Sequence, residues 1–337
     1  MVSMSRMLDV LWWTHAHNRR AIGPLWHPND QRRAREGVMA RPDRGIGVRD
    51  LFGGRSLSQK AVRQSMGALG KRLTAEFNER TRVNAEIRKH SRALSASLNE
   101  KARTDKSVAK AVADSRRLAT SLRGRRLVEP PYLEAREQVF VGSIGAVVKP
   151  PYDYQWTWSG VSGNPADNTE SADRQSGKMR FDFDTDQGDN SSSISGRTAV
   201  GIYFYPPAEC GDLQVWASPS FTDQWYDICS FDSAHADGWI GLYIESYDLT
   251  GAPTATLVDQ QISLWSDSSW WSGGSGQGSN TGYGLYAPPM QVDQDHQYAI
   301  WVWAGGDVSA AGWGTFSGSG AGDTMNTAVP FIRWELG

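Results

Sequence analysis

Apolar positions recur at alternating steps of four and three residues over 57–123, a stretch without proline that is rich in Ala, Leu, Lys, Arg and Glu. This spacing places the apolar side chains on one side of an α-helix. Ser56 or Ser58 can cap the first turn through a side-chain oxygen, and Gly124 can end the helix. The pattern therefore predicts a helical segment over residues 57–124.

The apolar stripe of this segment runs from Val62 to Leu122 and has the spacing of a coiled-coil seam. A lone helix would expose the stripe to water, so the stripe needs a cover. One prediction is a coiled coil, which makes the protein a homo-oligomer through residues 57–124. The other is a helical hairpin that folds back near residues 99–105, where Thr104 or Asp105 can cap the second helix.

Beyond residue 152 the period of the pattern changes to two. Met179, Phe181 and Phe183 alternate with polar residues, as expected for a strand with one buried face. About ten such strands, separated by turn residues, predict an antiparallel β-sandwich of jelly-roll type over residues 153–337. Strands such as 199–205 are apolar at nearly every position, which predicts burial on both faces.

Charge divides the chain at the same boundary. Residues 1–150 hold 30 Lys and Arg against 14 Asp and Glu, whereas residues 151–337 hold 5 against 23, so net charges of +16 and −18 lie within a total of −2. Residues 1–56 combine arginine clusters with frequent Gly and Pro, which predicts a mostly disordered basic tail. Two proline pairs mark residues 125–152 as a linker. The predicted fold class is α+β in separate domains, a basic helical arm (coiled coil or helical hairpin) followed by the sandwich.

The basic arm is also expected to bind polyanions weakly, without sequence preference and in a salt-sensitive manner, because arginine contacts with phosphates release counterions. No zinc finger, helix-turn-helix or RNP-type strand accompanies the arginines, which argues against specific nucleic-acid recognition. Attraction to the acidic domain of another subunit explains the charges equally well.

The Gly/Ser-rich stretch 265–283 is a candidate glycan site. It is interpreted as a long loop that carries more aromatic surface than solubility requires. Aromatic faces can stack on sugar rings while carboxylate and amide groups bind the hydroxyls. The alternative is that the indoles cap one end of the sandwich or pack on a second subunit. The predicted ligand-binding residues are Trp265, Asp267, Trp270, Trp271, Asn280 and Tyr283.

The acidic stretch 182–190 is a candidate calcium site, because Ca²⁺ prefers carboxylate and amide oxygens. The stretch departs from the EF-hand pattern, since its glycine comes one place late and no glutamate stands at the twelfth position. A solvated acidic turn is the alternative. The candidate ligands are Asp182, Asp184, Asp186, Asp189 and Asn190. No other cofactor is expected.

An alternative metal site is carried by His235, Asp237 and His296, whose H-x-D…H spacing resembles that of iron oxygenases with a jelly-roll fold. The resemblance implies that two imidazoles and a carboxylate bind one iron. Oxygenases that use 2-oxoglutarate also need a basic residue beyond the second histidine, and Arg333 is the one basic residue that follows His296.

Cys210 and Cys229 are interpreted either as buried free thiols or as a single disulfide. No apolar run of about 18 residues is present, so no membrane span is expected. Arg6 and Asp9 make the first residues a poor secretory signal, which predicts cytoplasmic synthesis and leaves release by a non-Sec route open.

Together these features predict a non-enzymatic, oligomeric interaction protein, in which a basic helical stem carries an acidic, aromatic-rich head that binds a partner such as a glycan. The alternative is a self-assembling structural protein of shell or capsid type, whose basic arm binds a polyanion. A metal-dependent jelly-roll oxygenase is the third reading. The sequence contains no Gly-x-Ser-x-Gly elbow and no phosphate-binding glycine loop, so neither motif favours another class of enzyme.

Overall fold

The computed structural model describes residues 57–122, 144–185, 191–206, 210–230, 233–269, 273–311 and 318–337. Within these ranges two helices precede fifteen strands. The helices are α1 (Gln59–Thr104) and α2 (Lys106–Leu122). The strands are β1 (Ile144–Val148), β2 (Tyr154–Ser162), β3 (Pro165–Asp173), β4 (Lys178–Thr185), β5 (Ser192–Phe204), β6 (Cys210–Ala217), β7 (Ser220–Ser230), β8 (Ala234–Asp248), β9 (Pro253–Asp259), β10 (Ile262–Ser269), β11 (Gly273–Asn280), β12 (Leu285–Asp293), β13 (His296–Ala310), β14 (Gly318–Ala328) and β15 (Ile332–Leu336).

The strands form three antiparallel sheets. The six-stranded sheet has the order β10-β8-β13-β5-β2, and β9 pairs with the part of β8 that β10 leaves unpaired. The five-stranded sheet has the order β11-β7-β14-β4-β3, and the four-stranded sheet has the order β1-β15-β6-β12. The expected antiparallel sandwich architecture is confirmed, whereas its jelly-roll type stays a prediction.

The six-stranded and five-stranded sheets pack face to face through aromatic rings and glycines. Phe181 and Phe183 of β4 are fully buried, as the alternation predicts, and their rings stack 5.1 Å apart. Phe183 lies against Gly196 of β5, where a Cβ atom would come within 2.4 Å of the ring. The glycine therefore lets the two sheets approach closely.

Helix α1 covers the opposite face of the six-stranded sheet. Ser58 caps the helix, since its Oγ accepts a hydrogen bond of 3.1 Å from the Ala61 amide. Apolar side chains of the first five turns are buried against this face, and all but Phe77 belong to the same core as the strands. They are Val62, Met66, Leu69, Leu73 and Phe77. Strands β5 and β13 are thus buried on both faces, as predicted, and the second cover is a helix.

This packing changes the reasoning about self-association. The sequence argument allowed another helix alone as the cover of the apolar stripe, but the sheet of the same chain covers its first half. A coiled coil and a homo-oligomer through residues 57–124 stay predictions. For the residues before Arg80, however, the need to cover an exposed apolar stripe no longer supports them. The helix is also interrupted at Asp105, whose Oδ1 accepts a 2.9 Å hydrogen bond from the Ser107 amide at the start of α2. Helix α2 then contacts β7 and β14 of the five-stranded sheet.

Two boundaries differ from those expected. Residues 144–148, within the predicted linker, form β1 and pair with β15. The prolines flank this apolar segment without interrupting it, so its amides remain available to the sheet. The residue pattern also predicts one strand over residues 327–336, but the structure divides this segment between the end of β14 and β15, because Pro330 lacks the amide hydrogen that a continuous ladder requires.

Cys229 is buried and is not part of a disulfide. Cys210 begins β6 in the four-stranded sheet, whereas Cys229 lies in β7 of the five-stranded sheet. The disulfide alternative is therefore wrong. Among the helices of the described residues, none combines the length and apolarity that a membrane crossing requires.

Candidate functional site

The site is built on the face of the six-stranded sheet that lies under α1. Polar contacts fix the helix to this face. Arg72 pairs with Asp259 at 2.9 Å, and Ser65 donates a hydrogen bond to the buried carboxylate of Glu245. Tyr247 donates a second hydrogen bond of 2.6 Å to Glu245, so that buried charge is satisfied from both elements.

The larger cavity between α1 and the sheet has a volume of about 620 Å³, within the range of small-molecule sites. We call it the Trp158–Trp239 cavity. Its lining residues on the sheet include Trp158, Ser195, Arg197, Trp239 and Gln261, and those on the helix include Leu73, Ala75, Glu76, Glu79 and Arg80.

Strand register explains why two indoles and a guanidinium meet in this cavity. Trp158 of β2 lies opposite Arg197 of β5, which lies opposite Gly305 of β13, which lies opposite Trp239 of β8. Directly opposed residues share a face of the sheet, so the four residues form one row across four strands. Gly305 leaves space in this row, because a Cβ there would come within 3.0 Å of the Arg197 stem.

Arg197 lies between the two half-buried indoles and supplies hydrogen-bond donors. Its guanidinium carbon lies 4.2 Å from the centre of the Trp303 ring, a cation–π contact. Its Nη2 donates a 3.1 Å hydrogen bond to Gln261. Burial lowers the pKa of Arg197, but an arginine remains charged at neutral pH. A guanidinium has five N–H donors, and Gln261 accepts from one of them among the described contacts.

A smaller cavity of about 340 Å³ lies further along α1, and its lining includes His235, Asp307, Ser193, Ser309 and Asn84. We call it the His235 cavity. The His235 Nε2 atom lies 2.8 Å from a carboxylate oxygen of Asp237. Burial opposes the charged imidazole, but the hydrogen bond to Asp237 and the charges of Asp237 and Asp307 outweigh it and raise the pKa of His235 to about 9.

The protonation state of His235 decides what this cavity can do. A histidine with a pKa near 9 already carries its proton at neutral pH, so it cannot act as a general base toward a neighbouring serine. Asp307 is engaged by Arg80 at 2.8 Å. The cluster is therefore a charge-balanced polar network that can donate hydrogen bonds.

The structure separates the three residues of the predicted iron site. His235 and Asp237 lie at the start of β8, whereas His296 pairs with Asp248 at the far end of that strand. At about 3.3 Å per residue the two histidines are roughly 40 Å apart. At this distance they do not share a metal ion. The H-x-D…H pattern failed because it does not specify where along an antiparallel strand pair the second histidine lies. His296 instead contacts Asp293 at 2.7 Å.

The predicted calcium ligands fall partly outside the described residues, namely Asp186, Asp189 and Asn190. Asp182 pairs with Arg180 at 2.8 Å, and Asp184 accepts a hydrogen bond of 2.5 Å from Tyr226. Across the described ranges, no three His, Cys, Asp or Glu side chains are arranged to hold a metal ion. The calcium site at residues 182–190 stays a prediction.

The predicted glycan loop is largely two strands, β10 and β11, which join different sheets. Trp265 is only 8% exposed and packs over Gly238. Asp267 lies beside Gly274, whereas Asn280 and Tyr283 lie near Phe221 at the other end of β11. These described members therefore do not form one patch. Trp270 and Trp271 lie outside the described residues.

A second aromatic surface lies on the four-stranded sheet. Trp216 and Tyr286 are cross-strand neighbours with ring centres 5.5 Å apart, and Tyr286 is 41% exposed. Arg333 stacks on Trp216 at 5.0 Å and pairs with Glu335. We call this surface the Trp216–Tyr286 platform, and it offers a comparison for the cavity under α1.

Sequence reasoning placed Trp158 on a strand face but did not identify it, Arg197 or Trp239 as site residues. The strand pattern around each of these residues is visible in the sequence. Which strands are neighbours is not visible, and the site depends on that pairing.

No protein-family model matches the chain, and no curated protein matches it. Among solved structures, the chain is similar to TmCBM61 in complex with β-1,4-galactotriose, at 13% identity and a TM-score of 0.17, covering 52% of this chain and 88% of that one. Carbohydrate-binding modules of the β-sandwich superfamily align at 11% identity and a TM-score of 0.16, covering 52% of this chain and 56% of theirs. An Arthrobacter globiformis isomalto-dextranase complexed with panose aligns at 8% identity and a TM-score of 0.13, covering 56% of this chain and 34% of that one. These similarities are weak and carry no argument about function.

Proposed function

We propose that this protein is a non-enzymatic carbohydrate-binding protein and that the Trp158–Trp239 cavity is its sugar site. The observation that carries the proposal is the row of residues in which two half-buried indoles flank the Arg197 guanidinium inside an open cavity of about 620 Å³. The site differs from the one expected in the Gly/Ser-rich stretch.

The chemistry of this row fits a sugar ring. An indole has a large flat apolar face, and a sugar ring presents a flat face of C–H groups to it. Arg197, Gln261 and Glu76 add planar groups that donate or accept hydrogen bonds with hydroxyls at the ring edge. The site rests on a sheet and a docked helix, so it is formed before a ligand arrives.

The two cavities meet at Arg80, the residue that lines both of them. A sugar chain longer than one unit can therefore extend from the indoles toward the polar groups beside His235.

A glycan array followed by titration calorimetry on the full chain tests this function. Trp239→Ala should weaken binding at least tenfold, because one stacking face is lost. Ala75→Trp should do the same by filling the cavity from the helix, without removing any buried group. The matched controls are Ala85→Trp, on an exposed position of the same helix that lines neither cavity, and Tyr286→Ala on the Trp216–Tyr286 platform.

Circular dichroism and thermal melting establish that each variant is folded. Absence of any glycan ligand for the wild-type chain would overturn the function. Loss of binding in Tyr286→Ala with retention in Ala75→Trp and Trp239→Ala would overturn the site, since it would place the sugar on the platform.

A further inference from the structure

Arg197 differs from the other charged residues around the Trp158–Trp239 cavity in having no described carboxylate partner. At the rim, Glu79 pairs with Arg82 at 2.6 Å and Glu76 lies 3.9 Å from Arg72. Arg80 pairs with Asp307 at 2.8 Å. The acidic groups of the rim are thus already engaged by arginines of α1.

The environment of Arg197 makes an anionic partner favourable. Its stem lies over Gly305 and its guanidinium over Trp303, so the charge is largely removed from water. Among the described residues its one hydrogen-bond partner is the neutral amide of Gln261. Asp259 and Glu76 favour its charge only from beyond ion-pair distance, and a carboxylate that binds directly offsets more of the free energy that burial of the cation costs.

The geometry of the two groups also matches. A guanidinium presents two parallel N–H donors that fit the two oxygens of a carboxylate. Trp158 and Trp239 line the cavity on either side of Arg197, and its volume of about 620 Å³ accommodates a ring that carries the carboxylate. We infer that the cavity binds an acidic sugar, in which the carboxylate of a uronic acid unit pairs with Arg197 while its ring stacks on Trp158 or Trp239.

This inference rests on the proposed sugar-binding function and adds the class of sugar. An acidic peptide also carries carboxylates, but its side chains have no rigid ring for the indole faces. The sugar is therefore the occupant that the two indoles favour.

The test compares uronic acid trisaccharides with the same trisaccharides after reduction of their carboxyl groups, by titration calorimetry on the full chain. The wild-type chain should bind the acidic form at least tenfold more tightly, and raising the salt concentration should reduce this preference. Arg197→Gln should remove the preference, so that the acidic and the reduced forms bind with equal affinity. Arg197→Lys keeps the charge without the fork and should retain part of the preference.

Each outcome separates the inference from the function on which it rests. Equal affinity for the acidic and reduced forms, or a preference that survives Arg197→Gln, would overturn the inference and leave sugar binding intact. Binding of neither form, with no other glycan bound, would overturn both. A glutamate-rich peptide that binds with equal affinity through Arg197 would replace the acidic sugar as the occupant. Should Arg197→Gln fail to fold, Arg197→Lys and the salt dependence still decide the question.

Discussion

Arg80 of α1 and Asp307 of β13 form an ion pair of 2.8 Å at the point where the two cavities under the helix meet. The Asp307 side chain is 10% exposed and that of Arg80 is 51% exposed. Burial raises the pKa of Asp307, and the charge of Arg80 opposes that rise. The pair therefore joins the basic arm to the acidic domain within one chain.

Arg80→Met should lower the free energy of unfolding by about 2 kcal/mol, because it leaves the buried Asp307 carboxylate without its ion-pair partner. Urea denaturation at pH 7 measures this change. Arg82→Met is the matched control, since Arg82 and Glu79 are both exposed and their pair should contribute little to stability. Adding Asp307→Asn to Arg80→Met should recover part of the loss. Equal effects of the two arginine variants would contradict the assignment.

Leu73→Ala should cost about 3 kcal/mol of unfolding free energy, because Leu73 is buried between α1 and the sheet. Val83 lies on the same helix but is 43% exposed, so Val83→Ala should change stability by less than about 0.5 kcal/mol. Chemical denaturation gives both values. Limited proteolysis should cut α1 of the Leu73 variant faster, and an unchanged rate would argue against docking of the helix.

Gly160→Ala should destabilise the protein by about 1–3 kcal/mol, because the added Cβ would lie 2.9 Å from the Phe77 ring. Phe77→Leu in the same chain should relieve that clash, and thermal melting of the two single variants and the double variant measures the coupling. Gly67→Ala, where the added atom meets nothing within 4 Å, should instead stabilise α1 by up to about 1 kcal/mol. Simple additivity of the Gly160 and Phe77 changes would contradict the contact.

Asp323→Asn should make stability less dependent on pH. Asp323 is fully buried between the sheets, and neither of its carboxylate oxygens has a hydrogen-bond partner in the described part of the chain. Burial and the charges of Asp307, Asp237, Asp182 and Asp223 raise its pKa well above the ordinary value.

The folded state therefore holds a proton that the unfolded state releases near pH 4. Stability falls as pH rises from there toward the pKa of folded Asp323. The asparagine variant should be the more stable protein at pH 7 by chemical denaturation. Exposed Asp295→Asn is the control, and an equal response of the two variants would show that burial of Asp323 is not the cause.

Asp237→Asn should lower the pKa of His235 from about 9 toward its ordinary value, because the imidazolium loses its carboxylate partner. Nitrogen-15 NMR titration of the histidines measures this pKa. A raised histidine pKa contributes stability that is present below about pH 6.5 and is lost as pH rises through 9. The variant should therefore be less stable than the wild-type chain mainly at pH values below 9. An unchanged titration of His235 would mean that Asp237 does not hold its proton.

The elements of the fold were predictable because they depend on local periodicity. The helix after Ser58 follows from the spacing of apolar residues, and the burial of Phe181 and Phe183 follows from alternation. The break at Asp105 follows from its capping side chain. These properties are set by the chain within a few residues of each position, so the sequence determined them by itself.

Tertiary structure decided which faces meet. The apolar stripe of α1 has the same spacing whether a second helix or a sheet covers it, and the structure covers its first half with the sheet that carries Trp158 and Trp239. Their meeting with Arg197 requires β2, β5, β13 and β8 to be neighbours in one register. Strand order depends on pairings between distant segments that local periodicity does not encode, and so the site could be read only from the folded chain.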